Sequence, residues 1–197
     1  MADLIENAQT AADIIMNFKN YCTYGQTLII PEGVEHIGMN VFHKSEGDGY
    51  GNYYLTHLEL PSTLKTIGYQ SFAGNTRLTE VVIPHGCEYI YSQAFVDCIR
   101  IQRLYLPNTI KTCYSLSFVP TSNMTVFEVE EGFSGGLGND VSFTNANLSA
   151  EVMVNVFNNL ADLTGQRAET LVFGTKNLNK LTLEQIAIAT NKNWNLA

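Results

Sequence analysis

The chain has 197 residues, 45% of them hydrophobic and 15% charged, and its 19 acidic against 11 basic residues give a formal charge of −8. This composition supports a buried core and excludes a disordered chain, and membrane insertion is not expected because no apolar run approaches the roughly 20 residues that span a bilayer. Because acidic residues predominate and lysine and arginine form no cluster, nucleic acid is not expected as a partner.

The first predicted element is an amphipathic helix within residues 3–18. Its apolar residues at helical spacing are Leu4, Ala8, Ala11, Ile15 and Phe18. A helix lying on a membrane surface would carry lysine or arginine on its polar face, but this segment carries acids there. We therefore expect residues 1–23 to form a helical cap on the elements that follow.

Residues 24–131 repeat one short phrase, in which apolar residues are closed by a proline. The four copies are Leu28–Pro31, Leu58–Pro61, Val81–Pro84 and Leu104–Pro107, and the phenylalanines eleven residues after each proline are Phe42, Phe72, Phe95 and Phe118. The last three copies are equally spaced, as are their phenylalanines, and a fixed period of this length is the signature of stacked coils. The sequence therefore predicts an α/β solenoid of 23-residue coils.

Within each coil, apolar residues recur at fixed offsets that form columns through the stack. The phrase before the proline alternates as a half-buried strand does, so we expect the four strands to form one parallel sheet. Two further core columns are Val34, Leu64, Cys87 and Ile110, and Ile37, Ile67, Ile90 and Cys113. Asn75 and Cys98, three residues after the phenylalanine, are expected to bind backbone groups at the turn between coils.

A fifth, degenerate coil is expected where the same period, continued from Pro107, reaches Glu130. Its apolar residues are Met124, Phe127 and Val129. The stretch Gly132–Gly138 is rich in glycine and predicts a turn or hinge, so we assign residues 132–147 to a connection.

Residues 148–197 change to a helix, strand, helix pattern, which we interpret as a C-terminal α/β cap. Ser149 is a predicted helix cap, with Val152, Val156 and Leu160 facing inward and an end near Gly165. The segment 171–173 predicts a strand. Thr182 and Gln185 form a predicted capping box for a second helix, in which Ile186, Ala189 and Trp194 pack back.

The first coil contains a seven-residue insertion between Phe42 and Leu55. It carries Tyr50, Tyr53 and Tyr54 among glycines, and tyrosine rings supply contact area at low entropic cost. Two interpretations stay open for this loop, a binding loop and an unspecialised surface loop.

The pattern L-x-[IL]-P-x-x-[VLI]-x-x-I-G-x-x-[SA]-F over residues 24–131 resembles the BspA-like class of bacterial leucine-rich repeats. Gly38 and Gly68 match the glycine of this pattern, whereas Tyr91 and Tyr114 depart from it, which predicts wider turns there. The tail resembles segments appended to repeat proteins of bacterial surfaces and prophages. The resemblance implies attachment to host proteins or other cells. No export signal is visible, so the bacterial surface, a phage particle and the cytoplasm all stay open as locations.

The predicted sheet places alternate residues of each strand outside the core, in two rows across the coils. The mixed chemistry of these rows resembles an interface more than a solubilising surface. The candidate binding residues on this face are His57, Glu59, Glu80, Val82, Arg103, Tyr105 and Glu128, with Tyr50, Tyr53 and Tyr54 of the insertion. The expected function is a non-catalytic, adhesion-type module that binds a protein or glycan. The alternative is a structural or accessory component of a prophage particle or surface assembly, and a homo-oligomer is allowed in either case.

Catalytic and metal chemistry are not expected. Ser134 lies in a G-x-S-x-G string, but the last histidine, His85, precedes it, and more glycines follow where a nucleophile elbow needs a helix. The four histidines do not show the spacing of metal ligands, and no cofactor motif is present. Cys87, Cys98 and Cys113 occupy repeat columns, which indicates structural thiols.

Overall fold

The computed structural model describes residues 26–43, 55–118, 121–137 and 141–197. The predicted N-terminal helix lies outside these residues. The described elements, in chain order, are β1 Gln26–Ile29, β2 His36–Ile37, β3 Leu55–Glu59, β4 Thr66–Ile67, β5 Glu80–Val82, β6 Tyr89–Ile90, β7 Arg103–Leu106, β8 Thr112–Cys113, β9 Val126–Val129, β10 Gly136–Leu137, α1 Ala150–Asn159, β11 Glu169–Leu171, α2 Thr175–Leu178, α3 Leu183–Thr190 and β12 Trp194–Leu196.

The first strands of the five coils are β1, β3, β5, β7 and β9, and the first four of them lead to the repeat prolines. They run parallel to their neighbours, as predicted, but they form two sheets and not one. β1 pairs with β3, and β5, β7 and β9 pair in that order. The Ile30 amide donates to the Glu59 carbonyl oxygen and the Ile83 amide to that of Tyr105. No equivalent bond joins β3 to β5 among the described residues, although these two strands lie side by side. The prediction of a single sheet was therefore wrong, because the hydrogen-bond ladder is interrupted between β3 and β5. This interruption is called the missing ladder step below.

Another sheet, called the second sheet below, runs along a different side of the same coils and was not predicted. It contains β10, β8, β6, β4 and β2 in that order, all parallel. Its strands are two residues long and bury one side chain each, namely Ile37, Ile67, Ile90, Cys113 and Leu137. The first four of these are the predicted core column, so the column was right and its strand character was missed.

The phenylalanine column forms a continuous ladder of rings inside the coils. Neighbouring rings from Phe42 to Phe118 stack with centroids 5.0 to 5.2 Å apart and planes within 14° of parallel. All four side chains are at most 4% exposed. Stacked aromatic pairs stabilise the core beyond the area that they bury. This ladder confirms that equal spacing in the sequence means neighbouring positions in space.

The turn column behaves as predicted. The Asn75 side-chain amide donates to the carbonyl oxygens of Phe42 and Phe72, at 3.1 and 2.6 Å. The Cys98 thiol donates to the Phe72 carbonyl oxygen at 3.2 Å. The carbonyl oxygens of Phe42 and Phe72 therefore each accept from a side chain of the next coil, and buried carbonyl groups require such partners.

The fifth coil is present, and Met124, Phe127 and Val129 are buried as expected. The glycine-rich stretch after it is not entirely a turn, because Gly136 and Leu137 form β10. Gly135 lies so close to the previous coil that a Cβ atom there would clash with the Ile110 carbonyl oxygen. One role of glycine in this stretch is therefore close backbone approach.

The C-terminal segment confirms both predicted helix starts and corrects the first helix end. The Ser149 hydroxyl accepts from the Val152 amide, and Thr182 and Gln185 form the capping box. Helix α1 ends at Asn159, well before Gly165, because Leu160 is extended and forms a parallel bridge with Phe133.

The buried residues of α1 are Met153, Val156 and Phe157, so Val152 is more exposed than predicted. The predicted strand 171–173 lies two residues earlier, at β11. Val172, the residue after β11, forms an isolated parallel bridge with Ser142. Helix α2 and strand β12 were not predicted.

The hydrophobic core continues from the repeats into this segment, from Leu28 to Trp194. Helix α1 contacts β9, α3 contacts α1, and β12 pairs in parallel with β11. Helix α1 therefore lies next to β9, the last of the first strands. Strand β11 lies next to β10, the last strand of the second sheet. Within the described residues, no helix is long and apolar enough to cross a membrane.

Candidate binding face

The seven described candidate residues share one face, on the outer side of β3, β5, β7 and β9. Strand pairing aligns Glu80 with Arg103, and Val82 with Tyr105 and then Glu128. His57 and Glu59 lie on β3, beyond the missing ladder step. The outward rows are Thr27, His57, Glu80, Arg103 and Val126, and Ile29, Glu59, Val82, Tyr105 and Glu128. Tyr50, Tyr53 and Tyr54 lie outside the described residues.

Arg103 lies at the centre of the face and is held by an acid on each neighbouring strand. Its Nε and Nη2 atoms donate to Glu128 Oε2 at 2.8 and 2.7 Å, and its Nη1 atom donates to Glu80. The hydrogen bonds that the guanidinium donates to Glu128 and then to Glu80 raise the pKa of Arg103 above its ordinary value. Arg103 therefore links three strands across the face.

A recess of about 480 Å³ opens where this face meets helix α1. Arg103, Tyr105 and Glu128 form its strand side, and Asn155 and Asn158 lie on its helix side. Burial, followed by the nearby carboxylates of Glu130 and Glu128, raises the pKa of the Tyr105 phenol. The phenol therefore stays protonated at neutral pH and can both donate and accept a hydrogen bond.

The asparagines of α1 in this recess were not predicted from the sequence. Nothing in the repeat period connects β9 with a helix that begins only at Ala150. One local signal was available, since Asn155 and Asn158 are three residues apart and therefore lie on one face of the helix. Asn159 anchors this helix to the edge strand, because its side-chain amide donates to the Val129 carbonyl oxygen at 2.8 Å.

A second recess, of about 370 Å³, lies at the missing ladder step between β3 and β5. The candidate residues His57, Glu59, Glu80 and Val82 line it. Every described candidate residue therefore lines one of two recesses on the same face.

Glu130 occupies the position of the repeat proline in the fifth coil and joins three coils. His85 Nδ1 lies 2.9 Å from Glu130 Oε2, and the Asn108 amide donates to the same oxygen at 3.0 Å. The hydrogen bond from His85, then that from Asn108, lowers the pKa of the Glu130 carboxyl. A carboxyl group whose pKa is lower in the folded than in the unfolded chain stabilises the fold at a pH above its unfolded-state pKa. This stabilisation is lost as the pH falls through its folded-state pKa.

We expect Glu130→Gln to be destabilising at pH 6 and progressively less so, relative to the parent, as pH falls from 5 to 3. Urea unfolding across this pH range measures the difference. Glu131→Gln is the matched control, since it removes the neighbouring carboxylate. A constant difference between Glu130→Gln and the parent at all pH values would contradict this linkage.

The three described cysteines are buried free thiols, as their columns predicted. Burial raises the pKa of Cys87 and of Cys98 to about 12, so both thiols stay protonated and poorly nucleophilic. Ser134 leads into strand β10, and no helix follows it as a nucleophile elbow requires. Among the described residues, no group of three or more histidine, cysteine or acidic side chains could hold a metal ion.

Parallel strands that recur in every coil and share one apolar interior are typical of repeat proteins, among them the leucine-rich repeat proteins. The family model of the BspA type leucine-rich repeat region, six copies, matches residues 13–130 and again residues 48–164. The chain belongs to this family, which confirms the resemblance seen in its sequence. The comparison with curated proteins found no match.

Three solved structures are similar to the chain. The T. pallidum leucine-rich repeat protein has 16% identity and a TM-score of 0.50, over 88% of this chain and 86% of that one. A leucine-rich cell surface protein from Faecalibacterium prausnitzii has 20% identity and a TM-score of 0.44, over 54% and 32%. A leucine-rich repeat protein from Bacteroides ovatus has 16% identity and a TM-score of 0.43, over 87% and 43%. The aligned part thus spans about a third of the F. prausnitzii protein and under half of the B. ovatus one.

Proposed function

We propose that this chain is a non-catalytic binding module that holds a protein or glycan on the outer face of its first strands. The observation that carries the proposal is the clustering of His57, Glu59, Glu80, Val82, Arg103, Tyr105 and Glu128 around two recesses of one face. Leucine-rich repeat proteins are generally protein-binding modules, and repeat stacks use their extended surfaces for this purpose.

The chemistry of the face supports this proposal. It combines a half-buried tyrosine, an arginine and exposed aliphatic side chains, which are typical of contact surfaces, and its described strand residues include no lysine. The recesses are concave and open, so a partner can insert side chains into them. In this proposal the module serves in attachment at a bacterial surface, with residues 1–23 and 148–197 covering the two ends of a solenoid.

We expect Tyr105→Ala to weaken binding of the partner by about 2 kcal/mol, or roughly thirtyfold, because a tyrosine at the centre of an interface contributes strongly. The partner is first identified by screening extracellular-matrix proteins and glycans, and affinity is then measured by calorimetry. Tyr105 is the sharper test residue, since Arg103→Ala also releases Glu80 and Glu128 from their ion pairs.

Tyr114→Ala is the matched control, because Tyr114 is 40% exposed and follows β8 in the second sheet, away from the proposed face. It removes the same side chain and should leave the affinity unchanged. Full affinity in Tyr105→Ala together with a loss in Tyr114→Ala would move the binding surface to the second sheet.

A further inference from the structure

The recess between β3 and β5 combines an apolar lining with carboxylates. Leu58, Leu60, Val82 and Pro84 contribute the apolar part, and Glu59 and Glu80 contribute the acids. The recess exists because the two strands lie side by side without the hydrogen bonds that join every other described neighbouring pair of first strands. Its volume of about 370 Å³ corresponds to on the order of ten water molecules, which a long side chain can displace.

The two carboxylates differ in their present partners. Glu80 forms an ion pair with Arg103, whereas Glu59 is exposed and forms no ion pair with any described residue. With His57 of the same recess counted as neutral, as in the formal charge of the chain, Glu59, Glu80 and Glu128 supply three negative charges and Arg103 one positive charge, which leaves two net negative charges across the face. The chain as a whole carries −8. A cation is therefore attracted to this face and meets in Glu59 a carboxylate that forms no ion pair with a described residue.

We propose that this recess binds a lysine or arginine side chain of a protein partner. This inference rests on the proposed function and names the kind of partner that the same face takes. The methylene stem of such a side chain packs on Leu58, Leu60 and Val82, while its charged end reaches Glu59. Charge complementarity across the interface then favours a basic protein and excludes an acidic one.

The first test uses the full chain and a fragment that imitates the arginine end. Butylguanidinium is titrated into the protein while backbone amide NMR signals are followed, with the neutral isostere butylurea as the matched probe. We expect saturable shifts at the amides of Leu58, Glu59 and Val82 with butylguanidinium, at an affinity about threefold that of butylurea. Equal affinity for the two probes, or shifts scattered over the protein, would overturn the proposal.

Two variants locate the charge. Glu59→Gln should weaken butylguanidinium binding about threefold, whereas Glu35→Gln, which removes an exposed carboxylate beside the second sheet, should not change it. Val82→Arg places a guanidinium of the chain itself beside the recess and should abolish probe binding, while Val82→Met controls for added bulk. Unchanged binding in both Glu59→Gln and Val82→Arg would show that the cation binds elsewhere.

These results are separable from the fate of the proposed function. A partner that loses affinity with Tyr105→Ala, yet keeps it with Glu59→Gln and Val82→Arg, would leave the binding face in place and overturn only the cation site. A partner indifferent to all three variants would overturn the binding face itself. Binding that weakens with Glu59→Gln, and that also weakens as salt rises, would support both.

Discussion

Phe95→Ala is expected to lower the free energy of unfolding by about 3–5 kcal/mol, because it removes a fully buried ring and leaves a cavity. The Phe95 ring stacks on Phe72 at 5.0 Å and on Phe118 at 5.2 Å, so its loss interrupts the aromatic ladder on both sides. Only 1% of this residue is exposed. Urea unfolding followed by circular dichroism measures the change.

Two further variants decide whether the ladder is responsible. Phe95→Leu keeps most of the apolar volume and should cost clearly less than the alanine variant. Ile29→Ala truncates a side chain that is 63% exposed on β1 and should change stability by no more than about 0.5 kcal/mol. Equal losses for Phe95→Ala and Ile29→Ala would contradict a core built from stacked coils.

The interior of the repeats was predictable because its residues recur at fixed spacing in the sequence. Each core column contains one residue per coil, so four coils give four independent indications of the same environment. Cys87 and Cys113 show the strength of this signal, since their columns placed both thiols in the core against the alternative of disulfides. The columns give side-chain direction and neighbourhood, but they say nothing of which backbone groups are hydrogen-bonded.

The second sheet and the break in the first were therefore missed. A strand of two residues, such as Tyr89–Ile90, is too short for alternation to distinguish it from a turn. The break between β3 and β5 is a matter of backbone spacing, and the phrases Leu58–Pro61 and Val81–Pro84 look alike in the sequence. Yet this break creates one of the two recesses of the candidate binding face.

The candidate site was predicted only in part, because the repeat pattern gives side-chain direction but not tertiary contacts. Strand alternation identified Arg103, Tyr105 and Glu128 as outward residues, and their alignment follows from the repeat period. The ion pairs of Arg103 depend on side-chain geometry, and Asn155 and Asn158 reach the site through helix packing after the repeats end. The sequence thus predicts which residues share the face, whereas its recesses depend on tertiary structure.

Asn177→Leu is expected to lower the free energy of unfolding by about 3 kcal/mol or more, because it removes the side-chain donor of the Ala146 and Phe173 carbonyl groups, whereas the Phe143 carbonyl keeps the Ala146 amide. The Asn177 side-chain nitrogen lies 3.0, 3.1 and 3.0 Å from the carbonyl oxygens of Phe143, Ala146 and Phe173. Its side-chain oxygen accepts from Lys180 Nζ at 3.0 Å. The residue is fully buried, so water does not replace these bonds.

The same substitution at Asn155 is the matched control, since that asparagine is exposed on α1 and the change should cost no more than about 0.5 kcal/mol. Asn177→Asp keeps the shape but removes both N–H donors and directs a carboxyl group at the carbonyl oxygens, so it should be at least as destabilising as leucine. Urea unfolding of the three variants measures these differences. A small loss in Asn177→Asp would contradict a stabilising role for the Asn177 N–H donors, because aspartate fills the same volume and keeps the contact with Lys180 Nζ.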